Sequence, residues 1–190
     1  ISYIIYCIIF LHKYISILNM NNKDLKVAVL GAGAMGCLFG GLLAEKGLNV
    51  TLIDVWKEHV EEINKNGLKM DGHGGDRFIK IPATSDPSTI GKVDAVIVMC
   101  KATALEPALK SIKNIIRDKT VFMSFQNGIG HEAIIKSIVG DEKVIGGTTT
   151  QASNILGPGH IMNHAALPSW IGEYDGGITD RITEIADTFT

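Results

Sequence analysis

The chain is short of the features that announce a metal, a nucleic acid or a membrane. Its three cysteines, Cys7, Cys37 and Cys100, are scattered and have no ligand spacing. They read as reduced thiols in a reducing compartment, which points to the cytoplasm. The six histidines are dispersed as well. His160 and His164 stand four apart in a segment that reads as strand, on one face about two pleats apart, and with no third ligand no metal is expected. A net charge of -2 and the lack of any Lys/Arg cluster give no basis for a nucleic-acid partner.

Long apolar runs are also missing, with one incomplete exception. Residues 1–11 are almost unbroken Ile, Tyr and Phe, but His12-Lys13 interrupts them. A spanning helix wants about 20 apolar residues, and a signal peptide wants positive charge before its apolar stretch and a small-residue cleavage site after it. Neither pattern is met, so membrane attachment is not expected. The chain begins with Ile and its first methionine is Met20. Residues 1–19 are therefore read as an upstream extension, and residues 20–190 as the folded unit. With 46% apolar residues in a chain of 190, that unit has the length and the core of one domain.

What is present is concentrated in one motif. Gly31-Ala32-Gly33-Ala34-Met35-Gly36 closes the β-type run Lys26–Leu30 and opens a run with apolar residues at Met35, Leu38, Phe39, Leu42 and Leu43, the spacing of one helix face. Gly47 is a natural cap at its end. A G-x-G-x-x-G turn between strand and helix has a physical logic for a dinucleotide: Gly31 permits the tight turn, Gly33 lets the backbone approach a pyrophosphate, and Gly36 lets helix and strand pack closely. The negative charge then sits on a helix N-terminus. The alternative is a glycine-rich turn that binds nothing. A second strand, Val50–Ile53, ends in Asp54. That is the distance, roughly 20 residues beyond the glycines, at which this arrangement hydrogen-bonds the ribose hydroxyls.

Further along, polar residues recur at the ends of apolar strands. Beyond Asp54 a helix is expected to turn Val60 and Ile63 inward and Lys57, Glu58, Glu61 and Glu62 outward, up to Gly67. Two β-type segments around Gly72–Gly75 read as a hairpin at the sheet edge, with His73 a solvated turn residue. Val93–Met99 is a continuous apolar strand but for Asp94, as in a parallel strand covered on both faces, and delivers Cys100 and Lys101 at its carboxyl end. Ligands bind outside the carboxyl ends of strands in open α/β sheets, so Lys101 is a ligand candidate, against a plain surface lysine at a helix start. Thr103 and Glu106 are spaced as a capping box, and Leu105, Ala108, Leu109, Ile112, Ile115 and Ile116 supply a buried face. The next strand, Thr120–Phe125, leads to Gln126-Asn127-Gly128-Ile129-Gly130. Asn127 suits a ribose hydroxyl or a carboxylate, and an Asn-Gly turn equally.

A short helix with Ile134, Ile135 and Ile138 inward follows, then a strand at 143–147 and the run Thr148-Thr-Thr-Gln-Ala152. Asn154–Gly159 reads as a turn, Ile161–Asn163 and Trp170–Glu173 as two short antiparallel strands, and a helix capped by Thr179 runs on to Thr190, where its open end reads as a truncation point. The fold class is thus α/β, a Rossmann-type doubly wound, mainly parallel sheet with a small antiparallel addition.

With these motifs in this order, residues from Leu25 to Thr190 resemble the N-terminal part of ketopantoate reductases (2-dehydropantoate 2-reductases). The resemblance implies a dinucleotide-binding domain that precedes an all-helical domain absent from this chain. It implies hydride transfer from NAD(P)H to the C2 ketone of ketopantoate or a similar 2-oxo acid, giving pantoate for coenzyme A synthesis. It assigns Gly31–Gly36 to the pyrophosphate and Lys101, Asn127 and Ala152 to the cofactor neighbourhood, with Lys101 and Asn127 close to the substrate. The proton-donating lysine of the family belongs to the helical domain, so this chain is expected to be inactive alone. A homodimer of the full-length protein stays open.

One departure bears on the cofactor. The family typically meets the 2′-phosphate of NADP(H) with a basic residue after the second strand, and here Asp54 stands there. A carboxylate repels a phosphate and suits the free diol of NAD(H), while Lys57 keeps NADP(H) open. Two other readings share the glycines. One is a non-catalytic nucleotide-binding module. The other is a different two-domain hydroxy-acid or polyol-phosphate dehydrogenase, which is not expected to carry the Gln-Asn-Gly and Thr-Thr-Thr-Gln-Ala runs together.

Overall fold

In the computed structural model the described residues are 6–7, 25–174 and 176–189. The expected extension at residues 1–19 lies outside them, apart from the backbone of Tyr6–Cys7 (β1). Strands β2 (Lys26–Leu30), β3 (Asn49–Ile53), β6 (Ala83–Thr84), β7 (Val93–Val98), β8 (Ile116–Ser124), β9 (Val144–Thr149) and β12 (Ser169–Gly172) join β1 in one sheet. Its order is β1-β12-β9-β8-β7-β2-β3-β6. Neighbours from β9 to β6 are parallel, and β12 and β1 add antiparallel pairs. From β2 the chain winds outward through β3 and β6, then returns to β7 on the other side of β2. The reversal makes the carboxyl ends of β2 and β7 the topological switch point, where open α/β sheets bind their ligands.

Side-chain alternation explains why these strands are continuously apolar. Val27 and Val29 of β2 face one core with Ala95 and Ile97 of β7, while Ala28 and Leu30 face the other with Val96 and Val98. The first core takes helix α1 (Ala34–Glu45), helix α2 (Lys57–Asn66) and helix α5 (Asp180–Phe189) through Leu38, Val60, Ile63, Ile182 and Phe189. The second takes α3 (Leu105–Ser111) and α4 (His131–Val139) through Leu105, Leu109 and Ile135. Helices on both faces of a mainly parallel sheet are the doubly wound arrangement expected. No helix among the described residues is long and apolar enough to cross a membrane.

The antiparallel addition is a separate sheet, and here the sequence reading needs correcting. The hairpin of β4 (Leu68–Gly72) and β5 (Arg77–Ile79) is present, but it lies in a four-stranded sheet ordered β10-β11-β4-β5 and not at the edge of the main one. Residues expected as a turn form β10 (Ser153–Gly157), which leaves Pro158-Gly159 to turn into β11 (His160–Asn163). The two short strands expected to pair with each other do not: β11 runs parallel to β4, and β12 takes the free edge of β9. Period-two alternation sets which face of a strand is apolar and says nothing about which edge receives it.

Helix α1 lies between the two sheets, and two adjacent glycines make the space. A Cβ on Gly40 would stand 2.6 Å from Leu52 Cδ2 of the main sheet, and one on Gly41 would stand 2.9 Å from Met70 Cε and 3.1 Å from Leu68 Cδ2 of the small one. The helix accepts the propensity cost of glycine in exchange for close contact on two sides. Its last turn is tied to β5 by Glu45, which takes a two-pronged ion pair from Arg77 at 2.5 and 2.9 Å.

Three smaller expectations also change. No side chain caps α3, and Glu106 pairs with Lys110 at 2.6 Å in place of the Thr103 box. Ile134 is exposed, while Ile135 is buried in the second core and Ile138 packs against it as expected. Strand β8 begins at Ile116, which pairs with Val93; Thr120 spans the irregularity by donating to Val93 O at 2.7 Å and accepting the Arg117 N–H at 2.8 Å. Substituting Gly41→Val is expected to cost about 2 kcal/mol by overpacking, a drop of about 4–8 °C in melting temperature. Gly91→Ala, with no atom within 4 Å of the added carbon, should leave thermal denaturation unchanged.

Candidate functional site

The glycine-rich turn sits where β2, β7 and α1 meet, and two of its glycines are demanded by that meeting. Gly31 has φ +97°, and a Cβ there would stand 2.4 Å from Cys100 N. Its N–H donates to Ile53 O at 2.8 Å, while Met99 N–H reaches Leu30 O at 2.9 Å, so the turn is stitched to both neighbours of β2. A Cβ on Gly36 would lie 1.9 Å from Gly31 O. Gly33 differs: nothing lies within 4 Å of the position its Cβ would take. It is also the N-cap of α1, where it brings no side chain to satisfy the first-turn N–H groups, and no acidic residue stands in that turn. Ala32 is buried, while Ala34 and Met35 are half-buried beside the open face.

Asp54 stands at the carboxyl end of β3 and already holds the loop. One carboxylate oxygen accepts the Ala32 N–H at 2.7 Å and the other the Trp56 N–H at 3.0 Å. A carboxylate has about four acceptor positions, so capacity remains on both oxygens. Lys57 next along is exposed at the start of α2.

On the other side of the switch point the strand ends stand in register. Val98 of β7 pairs with Ser124 of β8, which sets the Cys100-Lys101 and Gln126-Asn127 segments on neighbouring strands. Gln126 joins them by donating its amide to Cys100 O. Lys101 is exposed and its ammonium makes no ion pair among the described residues. The Asn127 side chain is exposed too, and the residue's backbone carbonyl oxygen is bound by His131 Nε2 at 2.7 Å. Ala152 is exposed three residues beyond β9, and its carbonyl accepts the His164 N–H at 3.1 Å. Burial pushes the Cys100 thiol up to about 11, helped by the charge of Asp54, which leaves it protonated at neutral pH.

Sequence reasoning passed over the most unusual side chain nearby. His59 of α2 is fully buried, its ring stacked on Trp56 at 4.8 Å and 13°. Its Nδ1 accepts the Gly159 N–H at 2.9 Å, and its Nε2 lies 3.3 Å from Cys37 Sγ. Helical spacing offered the signal, because position 59 is one turn before the inward Ile63. The paired histidines lead elsewhere: His160 Nε2 meets Asp71 at 2.6 Å and His164 Nε2 meets Asn154 at 2.5 Å.

A mainly parallel, doubly wound sheet with a glycine-rich turn at its switch point defines a Rossmann-type domain. The particular family follows from comparison. The chain belongs to the ketopantoate reductase PanE/ApbA family, whose family model matches residues 27–176. It is 39% identical over 165 residues to a 2-dehydropantoate 2-reductase of Pyrococcus horikoshii, covering 87% of this chain and 53% of that protein. Among solved structures, D-mandelate dehydrogenase in ternary complex with NADH and anilino(oxo)acetate matches with a TM-score of 0.80 and 33% identity, over 87% of this chain and 53% of that one. A 2-dehydropantoate 2-reductase from Geobacter metallireducens GS-15 matches with a TM-score of 0.78 and 31% identity, over 87% and 55%. The chain spans about half the length of these relatives.

Burial holds the titration of His59 below its ordinary 6.5, although Asp54 and the Ala32 carbonyl pull the other way. The other titratable group facing it is the Cys37 thiol, which burial keeps protonated. Below about pH 6.5 the unfolded chain therefore takes up a proton that the folded chain refuses, and stability falls as pH falls. Urea unfolding at pH 7.5 and 5.5 should show a larger loss for the wild type than for His59→Gln.

Proposed function

We propose that this chain is the cofactor-binding half of an oxidoreductase of the 2-dehydropantoate 2-reductase type, acting on a 2-oxo acid. The observation that carries the reading is the assembly at the switch point: an uncapped helix start, a glycine facing open space, and a carboxylate one strand away. These residues fit a nicotinamide dinucleotide. Gly33 and the first N–H groups of α1 would hold the diphosphate, and the spare acceptor positions of Asp54 would hold the ribose hydroxyls.

The Asp54 carboxylate favours NAD(H). A 2′-phosphate would stand against it, and like charges at contact distance repel, whereas a free diol donates two hydrogen bonds to it. Lys57, exposed at the start of α2, is the group that would soften the preference. Titration with NADH and NADPH by calorimetry is expected to show tighter NADH binding, and Asp54→Ala should weaken NADH by about tenfold, the worth of one or two charge-assisted hydrogen bonds. Tighter NADPH binding by the wild type would overturn the preference.

When bound, the reduced nicotinamide would supply a hydride to a ketone carbon. The chain's own contribution lies at the ends of β7 and β8. Lys101 places a cation where a substrate carboxylate or a developing alkoxide needs one, and the Asn127 amide orients the ribose or the substrate. Ala152 lines the same edge at the end of β9. Reduction also needs a proton donor with matched acidity, and the resemblance to the family puts that lysine in a helical domain beyond this chain. Residues 20–190 are therefore expected to bind cofactor and turn over little or no ketopantoate, read as NADH absorbance loss. Robust turnover would assign the proton to Lys101 and refute the division of labour.

A further inference from the structure

We infer that His59 is a positioning residue for the dinucleotide, acting through Cys37 on the orientation of the Ala32–Gly33 peptide; the inference rests on the cofactor reading above. His59 is the one fully buried polar side chain on a helix whose Lys57, Glu58 and Glu61 are exposed. It touches no open surface, so its effect must be relayed. The relay can be followed atom by atom.

The direction of each hydrogen bond follows from one observation. Gly159 N–H can only donate, and it meets His59 Nδ1 at 2.9 Å, so Nδ1 carries no proton and the neutral ring is protonated at Nε2. That N–H faces Cys37 Sγ at 3.3 Å. The thiol in turn donates to Ala32 O at 3.1 Å, and the Ala32 N–H donates to Asp54 at 2.7 Å. Four bonds point in the same sense, from the β10–β11 turn to the carboxylate beside the glycine loop. The two that flank Ala32 hold both peptide units around it.

A trans peptide sets its C=O and N–H antiparallel. Drawing Ala32 O inward onto the Cys37 thiol therefore turns the Gly33 N–H the opposite way, away from the thiol, at a residue whose Cβ position is itself open, with nothing within 4 Å. The loop is set for an anion before any anion arrives, which lowers the ordering cost of binding. Trp56, stacked on the imidazole and bonded through its own N–H to Asp54, completes the clamp from the exposed side.

The two amide replacements of His59 separate this role from a structural one. A Gln amide reaches the Nε2 position and keeps a donor for Cys37; an Asn amide reaches only the Nδ1 position and keeps the acceptor for Gly159. NADH titration of the full chain should give His59→Gln a dissociation constant within about threefold of wild type, with His59→Asn and Cys37→Ala each weaker by about tenfold, the scale of one lost hydrogen bond. A histidine that merely held the β10–β11 turn would reverse the order of Gln and Asn, and equal affinity for all variants would also refute the inference. If the wild type itself binds no NADH, the cofactor reading fails first. Should the variants not fold, nitrogen chemical shifts of the wild-type imidazole decide: protonation at Nε2 is required, and a proton on Nδ1 breaks the relay.

Discussion

The whole arrangement depends on one contact of backbone against backbone. Gly31 brings the end of β2 so close to the Cys100 backbone that a single added carbon would lie 2.4 Å from its nitrogen, and Gly36 seats the first turn of α1 on the Gly31 carbonyl with no room for a methyl. Three elements thereby converge on a point where no side chain intervenes. The convergence places Gly33 at the rim, Asp54 one strand to one side and Lys101 one strand to the other. A longer approach at Gly31 would separate the carboxylate from the cation and dissolve the edge on which the proposed chemistry is drawn.

The second sheet gives that edge its rigidity. Because Gly40 and Gly41 let α1 contact both sheets, the helix whose N-terminus faces the open rim is clasped along its length, with Glu45 and Arg77 closing the far end. The buried His59 extends the clasp to Gly159. Polar groups buried this deeply stabilise only when each finds a partner, and in this cluster every donor does.

Much of the fold and the candidate edge was legible in the residues themselves. Gly31–Gly36 between an apolar strand and an amphipathic run, Val93–Val98 without a polar break on one face, and Gln126-Asn127 after another apolar run each speak of their own element, because strand and helix periods are local. The capping box at Thr103 was legible and untrue: two residues spaced correctly do not form it when a 3-10 turn occupies Ala102–Ala104. The exposure of Ile134 has the same lesson, since an apolar residue on a short helix is inward only if something lies opposite.

By itself the sequence determined most of the elements, their order and the glycine turn that opens α1, for these depend on neighbours a few positions away. Only the tertiary structure decided that Leu68–Ile79 and Ser153–Asn163 build a second sheet, that the strand of Ser169–Gly172 joins the main one, and that His59 meets a backbone N–H 100 residues distant. The physical reason is that strand edges and buried polar groups are satisfied by whatever partner the folded chain brings to them, and that partner is fixed by how the whole core packs.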